Sequence, residues 1–284
     1  MRPSLVTLLV ALVLSGCGGS DQDGGDVGGA REAEVEHVHG LGVDPVDGAL
    51  LVATHRGLFR VASGSEAATH VGDRTPDLMG FTVVGPGHYL ASGHPDPRDD
   101  LLSHLGLMES RDGGRSWEPV SLHGEADFHL LETRGGVVYG GDAAGGRFLR
   151  SEDRGRTWTP ATLPGPTVDI ALDPAAEGRL VAATEDGLFA SGDAARSWAR
   201  VGSATGLLAW PKPDLLLVVA GDGTVSRSAD GGRTVRRVGA VDGQPEAIAS
   251  SGSTVYVSLH EGVVVESRDG GGTWSSRVRL WRSS

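Results

Sequence analysis

An eight-residue motif that recurs along the chain constrains the fold more than any other feature. It reads S-R-D-G-G-R-S-W at its first occurrence and follows the pattern S-x-D-x-G-x-[ST]-W, with departures in later copies. The serines that open successive copies are about 40 residues apart, a period typical of propellers and solenoids. The copies occupy residues 110–117, 151–158, 191–198, 228–235 and 267–274.

The units that carry this motif share one order of elements from residue 35 onward. Two apolar strands joined by a turn are followed by a short third strand, the motif and a fourth strand. Continuous apolar runs such as residues 215–220 suit strands buried on both faces between stacked sheets. We therefore predict an all-β chain, a β-propeller of six four-stranded blades, with seven blades as the alternative. The predicted blades begin at residues 37, 80, 126, 167, 206 and 244.

The residue types of the motif predict a structural role in a tight turn between the third and fourth strands. Its fifth residue, usually Gly, permits a positive φ. Its acid can accept hydrogen bonds from backbone N–H groups, and its Trp is expected to pack against the next blade. Ala195 and Val235 replace the usual Gly and Trp, so blades four and five should have weaker turns. The predicted structural acids are Asp112, Asp153, Asp193, Asp230 and Asp269.

The motif resembles the Asp-box, or BNR repeat, of sialidases, sortilin-type receptors and related propellers. The segments H-V-H-G-L-G-V-D, G-H-P-D-P and G-E-A-D-F-H are similar to those of bacterial envelope lipoproteins loosely labelled glycosyl hydrolases or exo-sialidase-like. This second resemblance covers nearly the whole mature chain. It implies an extracytoplasmic propeller and, if the protein is an enzyme, a glycosyl hydrolase.

The N-terminal residues predict export and a lipid anchor. Residues 1–17 combine Arg2, an apolar run too short to span a bilayer, and L-S-G-C ending at Cys17, which resembles the bacterial lipobox. The resemblance implies a lipoprotein signal peptide with lipid on Cys17; an ordinary signal peptide is the alternative. Residues 18–34 are predicted to form a flexible Gly/Asp-rich tether, and residues 35–284 a single propeller domain. The expected location is extracytoplasmic, anchored to the cell membrane.

The charge of the chain excludes one class of partner. The net charge is −12 and Lys212 is the only lysine. Such a field repels phosphate backbones, so we expect no nucleic-acid binding. A glycan or an envelope protein is the expected class of partner besides the membrane.

Histidines and acids gather on the face opposite the motif, which we call the funnel. In a propeller the first strands line the central channel, and their starts and the ends of the second strands lie on this face. Residues two apart in a strand share a side. His37 and His39 should therefore point together, as should the four polar residues His123, Glu125, Asp127 and His129.

Imidazole and carboxylate groups in one pocket are ligands that zinc, copper or iron accept, so a divalent transition metal is the candidate cofactor, although no tight ligand spacing identifies the metal. The predicted metal ligands are His37, His39, His55, His94 and His129. The same groups also suit acid–base chemistry. The alternative is that they cap strand ends and hydrogen-bond to turns.

Two function hypotheses follow. The first is a membrane-tethered propeller that binds a ligand, a metal ion or an envelope partner through the funnel. The second is a glycoside hydrolase that uses Glu125 and Asp127 as catalytic carboxylates with a funnel histidine. Sialidases use an [FY]-R-I-P motif and a Tyr nucleophile. The chain lacks that motif, and its three tyrosines fall in predicted second strands.

Overall fold

The structure, a computed structural model, describes residues 37–281. Its regular elements in this range are all β-strands, and they form six antiparallel sheets of four strands. The predicted all-β, six-bladed β-propeller is confirmed. The predicted signal peptide, the lipidation site at Cys17 and the tether 18–34 lie outside the described residues. Within residues 37–281 no helix is long and apolar enough to cross a membrane.

The first three blades follow one another along the chain as simple up-and-down sheets. Blade one contains β1 (Val38–Val43), β2 (Leu50–Thr54), β3 (Gly57–Val61) and β4 (Ala68–His70). Blade two contains β5 (Asp77–Gly85), β6 (His88–His94), β7 (Leu107–Ser110) and β8 (Glu118–Ser121). Blade three contains β9 (Phe128–Arg134), β10 (Val137–Asp142), β11 (Arg147–Ser151) and β12 (Thr159–Ala161).

The last three blades repeat the same order of strands. Blade four contains β13 (Thr167–Leu172), β14 (Leu180–Thr184), β15 (Gly187–Ser191) and β16 (Ala199–Gly202). Blade five contains β17 (Leu207–Lys212), β18 (Leu215–Val219), β19 (Thr224–Ser228) and β20 (Arg236–Ala240). Blade six contains β21 (Pro245–Ser251), β22 (Thr254–Leu259), β23 (Val263–Ser267) and β24 (Ser275–Arg279).

Apolar layers between neighbouring blades form the core. Leu51 and Leu58 of blade one pack with Phe81 and Tyr89 of blade two. Comparable layers join the other neighbouring pairs, including blades six and one. Full burial of one such side chain contributes about 1.5–3 kcal/mol. The layers therefore fix the blades as a closed ring whose first strands surround a central channel.

The repeated motif forms a hydrogen-bonded turn between the third and fourth strands. Asp153 Oδ1 accepts from the backbone N–H groups of Arg156 (3.1 Å) and Thr157 (2.8 Å), and Oδ2 accepts from the Thr157 hydroxyl (2.7 Å). The backbone and hydroxyl donors of Thr157 lower the pKa of Asp153 to about 2. The pKa of the equivalent acids in the other four copies is also lowered to about 2. These carboxylates are fully engaged within their turns.

The tryptophans of the motif pack toward the preceding blade, not the next one as the sequence suggested. Trp158 of blade three donates from Nε1 to Ser121 Oγ of blade two at 2.9 Å, and its ring centroid lies 5.0 Å from that of Phe128. Trp198 of blade four likewise donates to the carbonyl of Thr162 in blade three. The reason lies in the packing of the layers, because each motif tryptophan joins the apolar layer that its blade shares with the preceding blade.

Two predicted boundaries on the funnel side are also corrected. Blade two begins at Asp77, three residues before the predicted Gly80. Residues 123–125 form a turn, and β9 begins only at Phe128, so His123, Glu125, Asp127 and His129 do not share one extended strand. The residue before this turn, Leu122, adopts a φ of 55° that reverses the chain.

The fourth and fifth positions of the turn adopt left-handed backbone in every copy. They are Gly113 and Gly114 in blade two, at φ 78° and 87°, but Ala194 and Ala195 in blade four, at φ 62° and 64°. The amide of Ala195 still donates to Ser191 Oγ at 3.0 Å. The hydrogen bonds of the blade-four turn are thus complete. The expected cost in this turn is backbone strain, which amounts to about 1–2 kcal/mol for each L-residue in left-handed backbone.

We expect Ala194→Gly to raise the free energy of unfolding by about 0.5–1 kcal/mol, because glycine relieves the strain but loses more chain entropy. Gly113→Ala is the matched control and should lower it by a similar amount. A Cβ at Gly113 meets no heavy atom closer than 3.5 Å, so the loss would report backbone strain alone. Urea unfolding of the three proteins measures both effects, and a destabilised Ala194→Gly would contradict the strain argument.

Candidate functional site

Three clusters of histidine and carboxylate side chains lie on the funnel face, each across a boundary between neighbouring blades. In each cluster the donor atoms all lie within 4.8 Å of one another. The first cluster is His39, His55 and Asp77; the second is His94, His104 and Asp127; the third is His37, Glu246 and His260. They follow the boundaries between blades one and two, two and three, and six and one.

β-Bulges aim three of the polar side chains at the channel. The pairing of the first and second strands slips by one residue at His39 in β1, at His129 in β9 and at Glu246 in β21. A bulge leaves its extra residue unpaired and redirects its side chain. All three bulged residues line the central cavity of about 610 Å³, which is otherwise formed by the first strands of the blades.

The first cluster holds an uncharged histidine next to a carboxylate. His39 Nε2 lies 3.2 and 3.3 Å from the two ring nitrogens of His55, and 3.9 Å from Asp77 Oδ1. His55 Nδ1 approaches the same Oδ1 to 2.9 Å but is not aligned for a hydrogen bond, so this buried oxygen has no hydrogen-bond partner. Burial, with the neighbouring His55, lowers the pKa of His39 to about 4 against the opposing effect of Asp77.

The second cluster brings two histidines against the buried carboxylate of Asp127. His94 Nδ1 lies 2.7 Å from the carbonyl of Ser103, which can only accept, so this nitrogen carries the proton. Nε2 of His94 faces Asp127 Oδ2 at 3.6 Å, beyond hydrogen-bond distance. Asp127 is 5% exposed, and its Oδ1 has no hydrogen-bond partner. Nδ1 of His104 is likewise buried without a hydrogen-bond partner, and one donor atom from each of the three side chains lies within 4.8 Å of the others.

His129 adds a fourth polar side chain beside the second cluster. Its Nε2 lies 2.9 Å from Asp127 Oδ2 and donates to it. The ring itself is exposed toward the channel. His129 also lies near enough to His39 to contribute to the lowering of the His39 pKa. The first cluster is therefore electrostatically coupled to the side chain beside the second cluster.

The third cluster is held together by one carboxylate oxygen. Glu246 Oε1 accepts from Nδ1 of both His37 (2.9 Å) and His260 (2.8 Å). Its other oxygen accepts from the backbone N–H of Val38 at 3.1 Å. The two imidazole rings lie 5.1 Å apart between centroids. This cluster therefore connects the first residues of blade one with the first two strands of blade six.

The predicted ligand residues His37, His39, His55, His94 and His129 all lie in or beside these clusters. Glu125, predicted as a catalytic carboxylate, is exposed on the turn 123–125 and belongs to none of the three clusters in the described chain. Asp127, its predicted partner, is buried and paired with His129. The prediction did not include Asp77, His104, Glu246 or His260 among the ligands. Asp77 and Asp127 share a position that only the strand pairing reveals, since each stands two residues before a bulge.

Two further carboxyl groups lie deeper in the channel and were not predicted. Burial raises the pKa of Glu132 to about 8, helped by repulsion from Asp169, and burial raises the pKa of Asp169 to about 7. Asp169 accepts from the backbone N–H of Leu208 at 2.7 Å, which opposes its shift. Both side chains remain partly accessible to the channel space, which they line.

Solved structures with a similar fold include two glycoside hydrolases of family GH74. The xyloglucanase from Xanthomonas campestris has a TM-score of 0.56 and 21% identity, over 84% of this chain and 38% of its own. The GH74 enzyme from Niastella koreensis has a TM-score of 0.61 and 13% identity, over 84% of this chain and 45% of its own. This chain thus spans less than half of either GH74 chain.

A similar fold also occurs in a domain that is not described as a hydrolase. The extracellular domain of a two-component system protein from B. thetaiotaomicron has a TM-score of 0.57 and 10% identity, over 86% of this chain and 33% of its own. No protein-family model and no curated protein matches the sequence. At these identities the likeness concerns the fold, a β-propeller of the kind found in glycosyl hydrolases.

We expect His39 to make the metal-free protein less stable as the pH falls from about 6.5 to about 4. In the unfolded chain His39 takes up a proton near pH 6.5, but in the folded protein only near pH 4. The unfolded state therefore binds more protons in this interval, and the unfolding constant rises by up to about tenfold per pH unit. Urea unfolding of the wild type and His39→Gln from pH 4 to 7 isolates this contribution. Parallel pH profiles for the two proteins would contradict it.

Proposed function

We propose that this protein is an extracytoplasmic propeller of the Asp-box type, tethered through lipid on Cys17, whose funnel binds a divalent transition metal ion. One observation carries the metal proposal. Oδ1 of Asp77 and Oδ1 of Asp127 are both buried without a hydrogen-bond partner, and each belongs to a carboxylate that faces histidine nitrogens. A buried carboxylate oxygen without a hydrogen bond is costly, and a bound cation removes that cost.

The spacing of the donors suits a small ion with nitrogen and oxygen ligands. Zinc bonds of 2.0–2.1 Å in a tetrahedron separate neighbouring ligand atoms by about 3.3 Å. The distances are 3.2 Å from His39 Nε2 to His55 Nε2, 3.9 Å from His39 Nε2 to Asp77 Oδ1, and 3.6 Å from His94 Nε2 to Asp127 Oδ2. Small side-chain movements would bring each set to that value.

The protonation states also favour metal binding. A histidine binds a metal through a neutral imidazole, so ligation competes with protonation. The pKa of His39 near 4 keeps this ring uncharged at neutral pH. The carbonyl of Ser103 accepts from Nδ1 of His94, an outer contact of the kind that orients metal-bound histidines, and it leaves Nε2 as the nitrogen that faces Asp127. Imidazole with carboxylate suits zinc, copper and iron better than calcium or magnesium.

We expect metal-free full-length protein to bind Zn²⁺ at the first and second clusters, measured by calorimetry and by metal content after dialysis. Asp77→Asn should weaken the first site and Asp127→Asn the second, each by at least the roughly 10–100-fold that follows loss of an outer contact, because here a charged ligand is lost while the shape is kept. Glu109→Gln is the matched control, since Glu109 contacts His88 outside the funnel. A wild type that retains no Zn²⁺, Cu²⁺ or Fe²⁺, or Asn variants that bind like the control, would refute the proposal.

The second candidate is a glycoside hydrolase, which the resemblance to GH74 folds and the paired Asp127 and His129 favour. Glu125 and Asp127 would be the carboxylates, with a funnel histidine as proton carrier. This candidate predicts release of reducing ends from xyloglucan, lost in Glu125→Gln and retained in Glu118→Gln, a control at another exposed carboxylate. Absence of release by the wild type counts against it, as does full activity of Glu125→Gln.

A further inference from the structure

The boundary between blades six and one differs from the other five boundaries of the ring. At the others, the chain passes directly from the last strand of one blade to the first strand of the next. Here the two blades are the ends of the described chain. Strands β1 to β4 all belong to blade one and strands β21 to β24 all belong to blade six, so no strand is exchanged between them. We call this boundary the closing seam.

Side-chain contacts therefore hold the closing seam. An apolar layer that includes Leu41 and Val52 of blade one and Val264 and Val278 of blade six fills its interior. On the side away from the funnel, Arg277 of blade six donates to backbone carbonyls of blade one, including that of Ala62 at 2.8 Å. These contacts do not connect the two blades covalently, so the ring can open here without breaking a strand.

The third cluster lies on the funnel side of this seam. His37 stands immediately before β1, whereas Glu246 lies in β21 and His260 follows β22. The side chain of Glu246 is only 10% exposed, and the imidazoles are 44% and 41% exposed. The carboxylate is thus fixed within the seam, while both rings remain accessible from the funnel.

The donor set has the composition of a metal site. Two imidazoles and one carboxylate are the three protein ligands of a common class of zinc site, which leaves a further position for water. Their donor atoms lie within 4.8 Å of one another, and contacts from Nδ1 of both rings to Oε1 hold them together before any ion binds. A bound ion would take the place of the two Nδ1 hydrogens, with each ring neutral and its proton on Nε2. The bulge at Glu246 directs its carboxylate toward the two imidazoles.

We infer that the third cluster binds a divalent transition metal ion that clasps blade one to blade six and closes the ring. The site shares no ligand with the first and second clusters, so it does not depend on the function proposed for them. An ion bound only by the closed ring shifts the equilibrium between closed and open forms by mass action.

Hydrogen exchange of the metal-free full-length protein with and without Zn²⁺ tests the clasp. The readout is the exchange of the β1 and β21 amides under conditions where the rate follows the opening equilibrium. With Zn²⁺ at 100 times its dissociation constant, we expect seam opening to become about 100-fold rarer and exchange to slow accordingly. In His260→Ala the Zn²⁺-dependent slowing should fall below about threefold, and bound Zn²⁺ should fall by one ion per chain.

Two further variants keep the result specific. His88→Ala removes a histidine that pairs with Glu109 at the end of β6 away from the funnel. This variant should keep both the Zn²⁺-dependent slowing of exchange and the full Zn²⁺ content. The double variant Asp77→Asn with Asp127→Asn should lose Zn²⁺ from the first and second clusters yet keep the slowing at the seam. Each protein is compared with itself, as the ratio of its exchange rates without and with Zn²⁺. A general loss of stability in His260→Ala therefore does not affect this ratio. Unchanged seam exchange in Zn²⁺-loaded wild type, or full slowing in His260→Ala, would overturn the clasp.

Discussion

Burial of both faces of every blade is the constraint on which this ring depends. In β2, Leu51 points into the layer shared with blade two, whereas the next residue, Val52, points into the layer shared with blade six. In β18, Leu216 and Leu217 divide in the same way between blades four and six. A sheet that is apolar on both faces cannot end at solvent, so each blade needs two neighbours and the row of blades must close.

Closure brings together residues that are far apart in the sequence. Glu246 reaches His37 because the last blade packs on the first, and Asp77 reaches His55 because the second blade packs on the first. The polar clusters therefore lie at blade boundaries, where two sheets contribute donors to one point. The acids of the repeated turns, in contrast, are satisfied within their own turns and leave nothing for a ligand.

The repeat made the blade count and the position of most strands predictable, because spacing and turn residues are local properties. The histidine-rich face was also predictable, because the repeated motif marks one end of the strands and the histidines fall at the other end. The sequence did not predict which carboxylates lie next to these histidines. The apolar pattern of β5 did not show that the strand starts at Asp77, and a turn rather than a strand separates Glu125 from Asp127. The pKa of Glu132 and Asp169 depends on the packing of the channel, which alternation along one strand does not reveal.

A bulge near the start of the first strand carries side chains whose chemistry differs between blades, while the fold around the bulge stays the same. The same backbone irregularity carries His39, Met79, His129, Val168 and Glu246 in different blades. An imidazole, a thioether, an aliphatic group and a carboxylate thus occupy equivalent places on one scaffold. Residues on either side of the bulge, such as Val38 and Leu41, supply the core packing. Side chains at these few positions can therefore be exchanged during divergence without altering the ring. Two propellers of identical architecture can thus carry unrelated functional groups on their funnel faces.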